Sequence, residues 1–128
     1  MSLQHTVVWM DHQEARIFGV SRGALEERTV SAPTHHIHRH PKGPTAERHH
    51  PSDAAHFFHD VAGVLSTAGE VLLVGPSTAK LHFLRHVAKH APALEAKIIG
   101  IETVDHPTDG QLIAYARRYF NLPQGGVG

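Results

Sequence analysis

Apolar positions follow two different rhythms along this chain. Thr6-Val7-Val8-Trp9-Met10 is an almost unbroken apolar run, the pattern of a strand covered on both faces. Asp11-His12-Gln13 makes a tight turn, and Glu14 to Val20 then alternates. Ala15, Ile17 and Gly19 take one side; Arg16, Phe18 and Val20 take the other. A second turn at Ser21-Arg22-Gly23 leads into Leu25 to Ser31, a more polar stretch suited to an edge strand. Turns this short join antiparallel neighbours, so the N-terminal third predicts a three-stranded meander.

Beyond residue 52 the rhythm changes to alternating helix and strand. Ser52 is the expected cap of a helix from Asp53 to about Thr67, with Ala54, Phe57, Phe58, Val61 and Leu65 on its inner face. Glu70 to Val74 reads as a buried strand. A turn at Gly75-Pro76-Ser77 opens a second helix to about Ala91, capped by Ser77 and ended by Pro92. Its expected inner face is Leu81, Leu84, Val87, Ala88 and Ala91. Lys97 to Val104 is the next strand. Thr108 or Asp109 starts the last helix, with Leu112, Ala116, Tyr119 and Phe120 inward. The tail Gln124 to Gly128 is expected to fray.

Between these halves the periodicity disappears. Pro33 to Ser52 holds four prolines (Pro33, Pro41, Pro44, Pro51) and six histidines with almost no apolar side chain. A stretch this long without a pattern is usually a functional or unstructured loop, because it buries too little apolar surface to offset its ordering entropy.

The order βββαβαβα predicts a single α/β domain over residues 1–128. The strand–helix–strand pieces require parallel strands with right-handed crossovers. One mixed five-stranded sheet follows, in the order 3-2-1-4-5 with helices on both faces, the ribonuclease H-like arrangement.

Composition narrows the chemistry. The 128 residues are 41 % apolar and suit one globular core. No apolar run is long enough for a membrane-spanning helix or the core of a secretory signal, so no membrane partner is expected. The absence of cysteine excludes a disulfide framework, a cysteine-ligated zinc site and a thiol nucleophile, and suits a cytoplasmic protein. Lys+Arg and Asp+Glu balance at 12 each, so any affinity for nucleic acid must come from a local patch. The 14 histidines are the exception to an ordinary composition. Each titrates near about pH 6.5 when unperturbed, so the protein becomes cationic in mild acid.

Nucleases of the ribonuclease H-like fold need several carboxylates around two metal ions. Here Asp11 closes the first strand, the fourth strand ends in Val74-Gly75-Pro76 without an acid, and Asp60 lies on a helix. Asp11 is therefore read as a turn residue. Gly75 to Lys80 places a helix N-terminus where phosphate could be held, but it lacks the second glycine of a Walker loop. The alternative there is a plain cap with Lys80 snorkelling. His82, His86 and His90, spaced i, i+4 and i+8, form one stripe flanked by Arg85 and Lys89 and placed nearly opposite the expected apolar face. The stripe reads as a solvated face, a phosphate-binding face or, in a metal-binding alternative, a zinc or nickel site without a completing acid. In the loop, Arg39, Lys42 and Arg48 against Glu47 give a formal charge of +2, a composition that suits backbone phosphates. No cofactor is expected beyond adventitious zinc or nickel on the histidines.

Val71 to Phe83, with its strand ending in Gly75-Pro76-Ser77 before a helix bearing Lys80 and Phe83, resembles the middle domain of archaeal and eukaryotic class I peptide release factors and their Pelota relatives. Met10 to Ala15 resembles the first hairpin of that domain, Ala54 to Phe58 its aromatic helix start, and Ile98 to Val104 its next strand. The resemblance covers roughly Val7 to Phe120 and implies a component of the translational machinery with tRNA, rRNA or the ribosome as partner. One departure is sharp. In release factors the long loop carries the Gly-Gly-Gln that promotes peptidyl-tRNA hydrolysis; the matching stretch here reads His38-Arg39-His40-Pro41-Lys42-Gly43-Pro44. Pelota-like members also lack the tripeptide.

The resulting expectation is a non-catalytic, cytoplasmic, RNA- or ribosome-associated domain using Arg39, Lys42, Arg48, Lys80, Arg85 and Lys89. The alternatives are a histidine-rich metal-binding protein and a peptidyl-tRNA hydrolase working without Gly-Gly-Gln. The composition of 33–52 predicts minimal amide protection there in the free protein. Hydrogen exchange measures it, and slow exchange throughout that stretch would contradict the reading.

Overall fold

A computed structural model describes residues 4–20, 25–32 and 51–122, of which 51–53 as backbone only. The expectations for residues 33–50, including Arg39, Lys42 and Arg48, and for the tail from 123 lie outside the described residues. The elements are β1 (His5–Met10), β2 (Glu14–Gly19), β3 (Glu26–Ser31), α1 (Pro51–Val64), a 3₁₀ turn (Leu65–Thr67), β4 (Glu70–Gly75), α2 (Ala79–His90), α3 (Pro92–Glu95), β5 (Ile98–Thr103) and α4 (Asp109–Tyr119). The sheet order is β3-β2-β1-β4-β5, as the meander and the two crossovers predict. β1–β2 and β2–β3 pair antiparallel, and β1–β4 and β4–β5 pair parallel.

β1 is the central strand, and its alternation feeds two cores. Val8 and Met10 join Ala15, Ile17 and Leu73 beneath α1, α2 and α3. Val7 and Trp9 join Phe18, Leu72 and Val74 beneath α4. Burial on both sides explains why the run has no polar alternation.

Several boundaries and faces differ from expectation, each for a local reason. α1 begins at Pro51, so the last two residues assigned to the loop are helical. A proline in the first helical turn loses nothing, since its missing N–H would have no partner there. Ala54 is exposed, leaving Phe57, Phe58, Val61 and Leu65 as the inner face. In α2 the buried stripe is Ala79, Phe83 and Val87, while Leu81 and Ala88 face solvent. Phe83 wins the inward position by packing edge-on against Phe58 of α1 at 5.6 Å. The N-cap of α2 is Thr78 rather than Ser77, and it makes no side-chain cap bond. Pro92 does end α2, but it also opens the short α3 as its N-terminal proline.

β5 contains a register shift opposite Val71/Leu72: Ile98 pairs with Val71, and Gly100 pairs with Leu72. Ile99 is the extra residue of this bulge, so both Ile98 and Ile101 pack against the core under α1 and α2. Gly100 faces the other way, and a side chain there would meet the Tyr119 hydroxyl and Leu72. Tyr119 thus covers Gly100 while remaining partly exposed rather than fully inward.

α4 carries signals at both ends. Thr108 and Gln111 form a reciprocal capping box. At the other end Asn121 adopts a left-handed conformation with φ 61°. Its N–H donates to Arg118 O at 3.0 Å, and the Leu122 N–H donates to Arg117 O at 2.7 Å, a Schellman closure.

Gly75 ends β4 against β1, where a Cβ would collide with the Met10 carbonyl oxygen. Backbone cannot swing aside as a side chain can. Gly75→Ala is expected to cost about 1–3 kcal/mol of stability, the usual range for overpacking; urea unfolding measures it, and an unchanged midpoint would contradict the close approach.

Candidate nucleic-acid interface

α2 is the most cationic element described. Its twelve residues, AKLHFLRHVAKH, contain no acid. Two lysines, an arginine and three histidines share the helix, and they do not all point the same way.

Lys80 is directed inward. It is 5 % exposed, and its Nζ donates to the Ser77 carbonyl at 2.7 Å. The ammonium thus serves the turn before the helix, which removes Lys80 from the exposed basic set. Arg85 and Lys89 are exposed, and among the described residues neither has an ion-pair partner. At about 100° per residue, Arg85, Lys89, His82 and His86 occupy one contiguous arc of about 100°. Because the buried stripe is Ala79, Phe83 and Val87, this arc borders the core-facing side instead of standing opposite it.

The neighbours of the histidines come from three elements. His82 lies beside His12 of the β1–β2 turn, with ring centroids 5.6 Å apart. His86 is half-buried, 5.6 Å from the Phe58 ring of α1 and 4.6 Å from the His90 ring. Partial burial, then the proximity of His90 and of His59 on α1, lowers its pKa from the ordinary 6.5. Among the described residues no group of three or more histidine, aspartate or glutamate side chains is placed to hold a metal ion.

His12 and His59 were not singled out by sequence. The signal for His12 was present in the topology: it follows β1, whose C-terminal end lies beside that of β4, and α2 departs from β4. His59 carries no comparable signal, because its approach depends on the α1–α2 packing angle.

Asp11 behaves as a turn residue. Its Oδ1 accepts the amides of Gln13 at 2.8 Å and Glu14 at 2.9 Å. A second cluster, on the α4 face, is structural. Trp9 Nε1 donates to the Asp105 carbonyl at 2.7 Å, and the Arg16 guanidinium lies 4.5 Å from the Trp9 ring centroid. Arg16 also pairs with Asp109 and donates to the Pro107 carbonyl at 3.3 Å. These contacts fasten the β5–α4 connection to the sheet. No described helix is long and apolar enough to cross a membrane.

Two solved structures share this architecture. The Pelota protein of Thermoplasma acidophilum matches with a TM-score of 0.59 at 20 % identity, over 84 % of this chain and 30 % of its own. The fold is Pelota-like. Pelota from Archaeoglobus fulgidus matches with a TM-score of 0.57 at 16 % identity, over 91 % of this chain and 30 % of its own. The chain therefore spans about 30 % of the length of these Pelota structures. No protein-family model matches the sequence, and neither does any curated protein.

The lowered His86 pKa has a stability consequence in this Pelota-like domain. As pH falls from the unfolded-state value of about 6.5 toward the lower native value, the unfolded chain binds the proton first, so stability is full above that window and is lost through it. Urea unfolding at pH 7.5 and 5.5 should show wild type losing more stability than His86→Gln; equal losses would contradict the burial argument.

Proposed function

We propose that this protein is a non-catalytic, cytoplasmic, translation-associated domain that binds the phosphate backbone of tRNA or ribosomal RNA through α2. The observation that carries the reading is an acid-free helix exposing Arg85 and Lys89 without ion-pair partners among the described residues. A Pelota-like fold supports the translational context. Unpaired cations spaced i, i+4 follow a polyanion at little desolvation cost and release its counterions. The charges of Arg39, Lys42 and Arg48 extend the same reading by sequence alone. No cofactor belongs to it, and zinc or nickel on the histidines is taken as adventitious.

The chemistry of the loop sequence does not favour catalysis. Hydrolysis of a peptidyl-tRNA ester needs a positioned water and a stabilised oxyanion. The stretch matching the release-factor loop has Pro41 and Pro44 around Lys42-Gly43 and no glutamine. Proline restricts its own φ and the residue before it, which opposes the close backbone approach that paired glycines allow.

Co-sedimentation with ribosomes and titration of a single-stranded RNA at several salt concentrations test the binding. Affinity should fall steeply with salt, and Arg85→Ala/Lys89→Ala should flatten the log–log slope by roughly 1.4, at about 0.7 per lost single-strand contact. Absence of binding at low salt would overturn the reading. Added to ribosomes stalled with peptidyl-tRNA, the protein should release no peptide above background; release abolished by His38→Ala or His40→Ala would establish the hydrolase alternative.

A further inference from the structure

The histidines of α2 share their arc with the two exposed cations, which is more than a solvated stripe requires. His82 lies three residues before Arg85, and His86 three before Lys89, so each histidine is a helical-surface neighbour of a permanent charge. His90 adjoins His86, His12 adjoins His82, and His59 acts on His86 from α1. Together they form a line of imidazoles running the length of the helix.

We infer that this line makes phosphate binding by α2 proton-linked: protonated His82, His86 and His90 join Arg85 and Lys89 on the RNA backbone, so that RNA is held more tightly in mild acid than at neutral pH. The inference rests on the RNA-binding reading and specifies its regulation.

The surroundings favour phosphate over an internal partner. The packed elements present few acids to these rings. In the β1–β2 turn, Asp11 is engaged by the Gln13 and Glu14 amides. On α1, which also carries His56 and His59, Asp60 lines the groove toward β3. α3 carries Glu95. The titratable residue of β4, Glu70, is 3.7 Å from His5 at the far end of that strand. Among the described side chains no carboxylate is within ion-pair distance of His82, His86 or His90. No described carboxylate therefore neutralises these rings from within the protein, and burial with the histidine neighbours lowers the His86 pKa. A bound phosphate reverses that balance by placing negative charge on the same arc. By linkage, a ligand that raises the pKa of these rings binds more tightly as pH falls through them.

The test is titration of a 20-nucleotide single-stranded RNA by the full chain at pH 7.5 and 6.0, with circular dichroism at both to follow folding. Wild type is expected to tighten by about fivefold, which corresponds to a mean net uptake of roughly half a proton on binding across this range. Its salt slope is expected to steepen by up to about 2, at about 0.7 for each histidine engaged. His82→Gln/His86→Gln/His90→Gln should lose the acid gain, binding equally at the two pH values, while Arg85→Ala/Lys89→Ala weakens binding at both. RNA binding that is equal at the two pH values overturns the proton linkage and leaves the RNA reading standing. A gain that persists in the triple variant also overturns it, since the protons are then taken up elsewhere. No binding at either pH overturns both.

Discussion

The parallel pairing of β1 with β4 is the constraint on which the rest of this molecule depends. It joins two halves that differ in kind: an antiparallel meander made by short turns, and a helical half made by crossovers. Once His5 to Trp9 align with Glu70 to Val74, β1 is enclosed on both faces, and its two sets of side chains become the centres of two cores. The same register forces Gly75 against the Met10 carbonyl and brings the β1–β2 turn, with His12, to the first turn of α2. The fold and the cationic face are in this sense one construction.

Much of this was legible because each strand announces its environment. An unbroken apolar run at Val7 to Met10 means two covered faces, alternation at Glu14 to Val20 means two different ones, and polarity at Leu25 to Ser31 means an edge. With turn lengths setting antiparallel or parallel neighbours, the order 3-2-1-4-5 follows. α2 was less legible. Leu81, Leu84 and Ala88 offered one apolar stripe, and Ala79, Phe83 and Val87 offered another about 130° away. Periodicity cannot choose between two such stripes. Contact with Phe58 can, and that contact belongs to the tertiary structure.

The consequence for the cationic face was direct. Rotating the buried stripe moved Lys80 into the protein and brought His86 to the helix–helix seam, while Arg85 and Lys89 stayed exposed. The clamp of Trp9 and Arg16 on the β5–α4 connection was also beyond sequence reasoning, since Arg16 and Asp109 are 93 residues apart. Arg16 lies on the Phe18 side of its strand, as the alternation predicts, but its partner Asp109 is the first residue of α4, whose position only tertiary packing defines.

The bulge in β5 bears on how this sheet meets other proteins. Both ends of an open sheet carry unpaired backbone groups, a template for further strands and hence for aggregation. At one end β3 guards its edge with charge: Glu26, Glu27 and Arg28. At the other, β5 has little charge, and Ile99 is 46 % exposed, which on a flat edge would invite sticking. The extra residue interrupts the regular spacing of amides and carbonyls there, and local twist turns the strand away from a straight partner. The two edges are protected by different means, one electrostatic and one geometric, and the isoleucine-rich strand is given the means that needs no charge.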